Sequence, residues 1–144
     1  MGKINTLRVL LGGLVASIVF IIIQLIVEGV AFLIFGFNEA ALARQYFPAI
    51  ILSGTAYQIV NFLYLIFTCT ITIWLYAALG SKFGSGTKTA LIAGLFVIIL
   101  IFLFTINKVN MGIFPLKVAL ISLAIGLVEF PVSIVAGSTF YKSK

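Results

Sequence analysis

The sequence predicts an all-α membrane protein, a single-domain bundle of four transmembrane helices that takes up residues 1–144. Three observations predict this fold class. Hydrophobic residues make up 63% of the chain and charged residues only 8%, which is too few to cover a water-exposed surface. Four apolar runs each reach the roughly 20 residues that a helix needs to cross a bilayer. Short polar or glycine-rich stretches separate these runs.

The four predicted spans are about 7–36, 55–79, 87–106 and 116–140. Thr6 suits the N-cap of the first span, Gly80 suits the end of the second, and Pro115 stands where the start of a helix tolerates proline. Turns at 80–86 and 107–112 join the later spans. Buried β-strands are the alternative, but strands do not run this long without turn residues.

A fifth, shorter helix is predicted at 38–47, between the first two spans. Asn38 can cap its start, a run of alanines favours the helix, and Pro48 ends it. We expect this segment to lie at the membrane surface.

The distribution of basic residues predicts the orientation in the membrane. An even number of spans places both termini on one side. Six basic residues lie on that side, namely Lys3, Arg8, Lys82, Lys88, Lys142 and Lys144. Three lie on the other, namely Arg44, Lys108 and Lys117. The positive-inside rule therefore predicts cytoplasmic termini.

Several function classes are excluded by composition. The chain has no histidine and a single cysteine, Cys69, so neither an internal disulfide nor a Cys/His metal site can form. A phosphate-binding loop and a carboxylate pair at matched depth are both missing, which argues against an enzyme and against a cofactor. The net charge of +6 is spread over the span ends, which fits lipid headgroups and not nucleic acid.

Two glutamates, Glu28 and Glu129, lie inside the first and last spans. Placing an ionisable group at membrane depth costs free energy, so such a group marks a site of function or partner contact. Around each runs a line of small and polar residues at helical spacing, which we call the polar seam. Its members are Gly13, Ser17, Gln24, Glu28 and Ala31 on the first span, and Ala119, Ser122, Gly126, Glu129, Ser133 and Gly137 on the last. Small residues let membrane helices approach closely, so we expect these two spans to be antiparallel neighbours with paired position numbers adding to 150.

This register brings several polar side chains together. Gly13 would face Gly137, Ser17 would face Ser133, and Ser122 would face Glu28. Glu129 would lie near the mid-plane within reach of Gln24, and Glu28 about 10 Å nearer the other face. Pro131 removes the helical donor for the Leu127 carbonyl and should bend the last span. The candidate ion, proton or polar-seam residues are Glu129, Gln24, Glu28, Asn61 and Ser122.

The two middle spans differ in polarity. The second carries a line of polar residues that share one face, namely Gln58, Asn61, Tyr64, Thr68 and Thr72, with Asn61 at about the depth of Glu28. The third is wholly apolar over 95–104, which predicts a lipid-facing surface there. Ala90, Ala93 and Gly94 offer a packing patch at its beginning.

The chain resembles a family of small, uncharacterised bacterial membrane proteins with four helices. The matching stretches are Leu10-Leu11-Gly12-Gly13-Leu14-Val15-Ala16, Ile73-Trp74-Leu75-Tyr76-Ala77-Ala78, Phe83-Gly84-x-Gly86-x-Lys88-Thr89-Ala90-Leu91-x-Ala93-Gly94, Gly126-Leu127-Val128-Glu129, Ala136-Gly137 and Tyr141-Lys142. In the first span, the family looks like Asn, then Glu, then Asn-Gly at one-turn intervals. This chain has Ile21, Gln24 and Glu28-Gly29 at the corresponding positions. The acid is thus displaced by one turn, whereas Glu129 matches directly. The resemblance implies a multi-pass protein of the bacterial cytoplasmic membrane and brings no assigned activity.

Two function classes remain open. The first is a structural or accessory protein whose polar seam binds its own helices, a second copy or a partner membrane subunit. A single chain has too few polar groups to line a pore, which favours this class. The alternative is a small proton- or cation-coupled transporter or channel that uses Glu129 with Gln24 and Glu28, and that works as a dimer. The expected surroundings are the lipid bilayer, with no nucleic acid.

Overall fold

The fold is described by a computed structural model for residues 4–36 and 55–141. These described residues form four helices, α1 (Thr6–Phe35), α2 (Thr55–Phe83), α3 (Thr87–Asn110) and α4 (Leu116–Ser138), and a final 3₁₀ turn, Thr139–Tyr141. All four helices are long and apolar enough to cross a membrane. The four long apolar helices that the sequence predicts are confirmed, and each helix begins within one residue of its predicted start. The surface helix predicted at 38–47 lies outside the described residues.

Three helix ends differ from the predictions. Asn5, not Thr6, caps α1, because its side chain accepts a hydrogen bond of 3.2 Å from the Arg8 backbone N–H. Helix α2 continues through Gly80 to Phe83, and α3 continues to Asn110. A glycine inside a helix costs only about 1 kcal/mol, so Gly80 alone does not end α2. Helix α2 ends directly before Gly84 (φ 84°), and α3 ends two residues before Gly112 (φ 72°). Both glycines have a positive φ, which the helix does not allow.

Consecutive helices are antiparallel. Gly94 of α3 lies against Pro131 of α4, and Ile98 lies against Gly126, so position numbers rise on one helix as they fall on the other. The pairs Gly12–Ile73 and Gly13–Thr70 give the same relation between α1 and α2. Helix α1 therefore packs between α2 and α4, and α3 packs on the other side of α4. The interface between α2 and α3 is smaller than these three.

Glycines allow the backbones of α1 and α4 to touch. A Cβ atom added to Gly12 would lie 2.9 Å from the Gly137 carbonyl oxygen, and one added to Gly137 would lie 2.7 Å from the Ala16 Cβ. Real Cβ atoms do not approach so closely, so neither position has room for a side chain. Small residues at a helix contact are how membrane helices gain packing without a hydrophobic drive.

Burial is concentrated at one end of the bundle, which we call the packed end. It holds the first half of α1, the second half of α2, the first turns of α3 and the last turns of α4. The side chains that are completely enclosed all lie there, namely Ala16, Ser17, Cys69, Thr72, Ile73, Ala90, Ala93, Ser133 and Ile134. Among the described residues, none of α1 after Ser17, of α2 before Cys69 or of α3 after Gly94 is buried. We call this opposite half the open end.

The glycine contact predicts different outcomes for two matched substitutions in membrane helices. Gly137→Ala should lower the free energy of unfolding by about 1–3 kcal/mol, because the new methyl group overlaps α1. Gly29→Ala should leave it unchanged or raise it by up to about 1 kcal/mol, because a Cβ there meets no atom and alanine favours helix. Unfolding in mixed detergent, followed by circular dichroism, measures both. Equal effects at the two positions would contradict the backbone contact.

Candidate functional site

Glu129 lies inside the helix interface of the packed end. Its side chain is only 3% exposed, and its backbone carbonyl accepts a 2.7 Å hydrogen bond from the Ser133 hydroxyl. The residues that follow it hold α4 against both neighbours. The Phe130 ring meets the Phe20 ring of α1 edge-on at 6.1 Å, and a Cβ added to Gly94 of α3 would lie 2.8 Å from the Pro131 Cα. Glu129 also makes further interactions within the protein, so its burial is accompanied by contacts.

Glu28 and Gln24 form a pair on the open half of α1. The Gln24 Nε2 donates a 2.8 Å hydrogen bond to the Glu28 Oε1, and both side chains are half-buried. Residues four apart on a helix are neighbours, so the bond needs no other helix to form. The expected contact between Gln24 and Glu129 stays a prediction.

The other two candidate residues lie in different settings. Ser122 is half-buried on α4 and makes an interaction of its own. Asn61 is exposed on α2, in a stretch where every described side chain from Gln58 to Tyr64 is exposed. The α1–α2 register places Asn61 level with Gln24, one turn away from its predicted level at Glu28, because the position numbers of Asn61 and Gln24 add to 85, as do those of Gly12 and Ile73. Asn61 therefore lies at the same depth as Gln24 but outside the core, because its side chain is exposed.

The antiparallel register predicted for α1 and α4 is confirmed. The position numbers of the contacting pairs Gly12–Gly137 and Phe20–Phe130 add to 149 and 150. The predicted facing of Gly13 with Gly137 is wrong, because Gly13 lies against Thr70 of α2 and Gly12 takes its place. Adjacent residues on a helix point about 100° apart, so the same register is compatible with either glycine.

The serines of the seam are also placed differently from the expectation. Ser17 and Ser133 are fully buried, and each hydroxyl donates to the carbonyl four residues earlier on its own helix. The Ser17 hydroxyl also lies beside the Cys69 thiol of α2. Such bonds satisfy a hydroxyl within its own helix. This side of α1 therefore packs partly against α2, and not against α4 alone.

The contacts of Thr70 and Tyr76 on α2 are the part of the site that was not predicted from the sequence. The Thr70 Oγ1 is enclosed against Gly13 and has no hydrogen-bond partner among the described residues. Tyr76 lies beside the Ser138 hydroxyl and meets the Tyr141 ring edge-on at 6.1 Å. The alternation of threonine with apolar residues over 68–72 was the available signal for a second packed polar face on α2.

The described residues contain no group of three or more histidine, cysteine, aspartate or glutamate side chains that could hold a metal ion. Together, the described residues define a small, all-helical protein with four helices suited to crossing a membrane and a buried glutamate on the last of these helices. Comparison with protein-family models, curated proteins and solved structures found no match to the chain.

The two glutamates should differ in their contribution to stability. Glu129→Ala should lower the free energy of unfolding by about 2 kcal/mol or more, because it leaves a cavity in the packed end. Glu28→Ala should cost about 1 kcal/mol or less, because it removes one half-buried hydrogen bond. Mixed-detergent unfolding of both variants provides the comparison. A larger loss for Glu28→Ala would contradict the difference in burial.

Proposed function

We propose that the chain is a structural or accessory multi-pass protein of the bacterial cytoplasmic membrane, in which Glu129 holds helices together. The burial of Glu129 carries the proposal. A glutamate that exchanges protons or cations must be reached from water, whereas this one is 3% exposed and directly precedes Phe130 and Pro131, which pack on α1 and α3. A carboxyl enclosed at a helix contact suits the joining of helices.

Four other polar residues support the same function. Ser17, Ser133 and Thr72 are fully buried, and each donates to a carbonyl of its own helix. Gln24 donates to Glu28 on the same helix. Groups that are already satisfied locally are poor ligands for a passing ion. A transporter or channel remains the alternative function. It requires that the protein carry protons or cations across the membrane and that this flux depend on Glu129.

The proposed orientation has both termini in the cytoplasm. The packed end carries Arg8, Lys82 and Lys88, and the open end carries Lys108 and Lys117. The basic residues outside the described ranges raise the totals to six on the terminal side and three on the other. The positive-inside rule and the resemblance to a bacterial family support this placement.

The accessory function predicts an absence of ion transport by the chain itself. Liposomes that contain the native protein should show the same proton and cation fluxes under a pH gradient as empty liposomes, with an ionophore as the positive control. Glu129→Gln and its matched control Glu28→Gln should not change this result. A native flux that Glu129→Gln abolishes and Glu28→Gln preserves would establish the transporter instead.

The orientation predicts which turns are reached from outside the cell. Cys69 is fully buried, so the native chain should not react with a membrane-impermeant maleimide. Met111→Cys, in the exposed α3–α4 turn, should be labelled in spheroplasts. Ser85→Cys, in the exposed α2–α3 turn, should be labelled only in inverted vesicles. The reverse pattern would overturn the proposed orientation.

A further inference from the structure

The last turn of the described chain packs against the beginning of α1. This 3₁₀ turn, Thr139–Tyr141, contacts α1 as well as α4. The Tyr141 side chain is only 7% exposed, meets the Tyr76 ring edge-on and belongs to the same buried hydrophobic cluster as Val9 of α1. The α1–α4 register agrees, because position numbers that add to 149 or 150 place Tyr141 level with Arg8 and Val9. The contact therefore brings Arg8 close to the residues that follow Tyr141.

Basic residues from both parts of the sequence lie near this contact. Lys142 and Lys144 follow Tyr141 by one and three residues, so covalent geometry keeps their Cα atoms within about 4 and 11 Å of the Tyr141 Cα. Lys3 directly precedes Ile4, which packs against the same hydrophobic cluster. We call four basic residues the basic cluster, namely Lys3, Arg8, Lys142 and Lys144.

The basic cluster has no acidic side chain within reach. The sequence holds three acids. Glu28 lies 20 residues after Arg8 on α1, about 30 Å away. Glu129 is enclosed nine residues before the end of α4, about 13 Å from it. Glu39 follows Phe35 by only four residues and cannot reach back along the roughly 40 Å between Phe35 and Arg8. Four like charges that are held together repel one another, so an anion from outside the chain would stabilise them.

Exposed apolar side chains stand directly beside the basic cluster. Leu7 precedes Arg8 and is 66% exposed, and Phe140 precedes Tyr141 and is 57% exposed. In a bilayer that the four helices span, this end of the bundle lies at the level of the lipid headgroups. A phospholipid can then place its phosphate on the basic residues and its acyl chains on Leu7 and Phe140. Free phosphate or an acidic peptide has no group for the apolar pair, so the arrangement favours lipid.

The turns between helices carry fewer charges. Two lysines flank the α2–α3 turn, Lys82 and Lys88, and two flank the α3–α4 turn, Lys108 and Lys117. Each Lys or Arg near a membrane surface strengthens the attraction of anionic lipid about fivefold. Four basic residues in one place therefore exceed a pair by about 25-fold. This difference singles out the basic cluster, and the α3–α4 turn supplies a matched control at the open end.

We infer that the basic cluster binds the phosphate groups of anionic phospholipids, whose acyl chains lie against Leu7 and Phe140. Tyr141 has a structural part in this site, because its burial against α1 holds the lysines that follow it near Arg8. Such a site goes beyond the proposed function and does not depend on it, because an accessory protein and a transporter would both keep it.

The single cysteine supplies the measurement. Cys69 is fully buried, so a thiol-reactive dye added to the folded protein reacts only as the chain unfolds on heating. Titration with dioleoylphosphatidylglycerol in dodecyl maltoside should raise the unfolding temperature, because a ligand that binds the folded form stabilises it. The dissociation constant from this titration should be at least about 25-fold lower than that of dioleoylphosphatidylcholine.

Two matched double variants locate the binding. Lys142→Gln with Lys144→Gln should weaken the binding of phosphatidylglycerol about 25-fold, and Arg8→Gln should weaken it about fivefold. Lys108→Gln with Lys117→Gln removes the same charge from the open end and should leave the dissociation constant unchanged.

The lipid site is overturned if both double variants weaken binding equally, or if phosphatidylcholine binds as tightly as phosphatidylglycerol. Inorganic phosphate and polyglutamate are titrated in the same assay. If either raises the unfolding temperature as much as phosphatidylglycerol does at equal charge, the ligand is a soluble anion and the lipid site is equally overturned. None of these outcomes bears on ion flux, so a failure of the site is distinct from a failure of the proposed function.

Discussion

The structure depends on the direct approach of the α1 backbone to two neighbours at Gly12 and Gly13. Gly12 lies on Gly137 of α4, and Gly13 lies on Thr70 of α2, so one pair of adjacent residues sets both distances. Lipid is as apolar as a leucine side chain, so burying large residues between membrane helices gains little. The interior of the packed end is accordingly rich in alanine, serine, threonine and glycine, and Ile73 and Ile134 are the largest side chains that it encloses completely. Many other large residues of the bundle point outward, as Leu33 (82% exposed) and Phe104 (72% exposed) do.

The close packing of α4 against its neighbours encloses Glu129. Its neighbours Phe130 and Pro131 contact α1 and α3, so the residue stands where three helices meet. Glu28, only half-buried and bonded to Gln24 on its own helix, has no comparable position. The two acids therefore have different physical settings. One is enclosed at the end of the bundle where the backbones touch, and the other lies at the end where the helices contact each other less.

The sequence predicts what depends on length, hydropathy and residue size. It predicts four spans, their starts, the register of α1 against α4 and the packing patch at Ala90, Ala93 and Gly94. It does not predict the rotation of a helix about its axis, which decides whether Gly12 or Gly13 faces α4. It also misses the continuation of α2 past Gly80, because a glycine ends a helix only when its backbone leaves the helical region. The contact of Ile98 with Gly126 shows that the α3–α4 interface reaches beyond the predicted patch.

The uneven packing decides where the chain can accept a change in length. Each added residue turns the rest of a helix by about 100°. One residue inserted between Gly13 and Phe20 would swing the Phe20 ring away from Phe130 and break the fit of α1 to α4. The same insertion after Glu28 would turn only the last part of α1, where none of the described side chains is buried. Relatives that differ in helix length should therefore carry the difference at the open end.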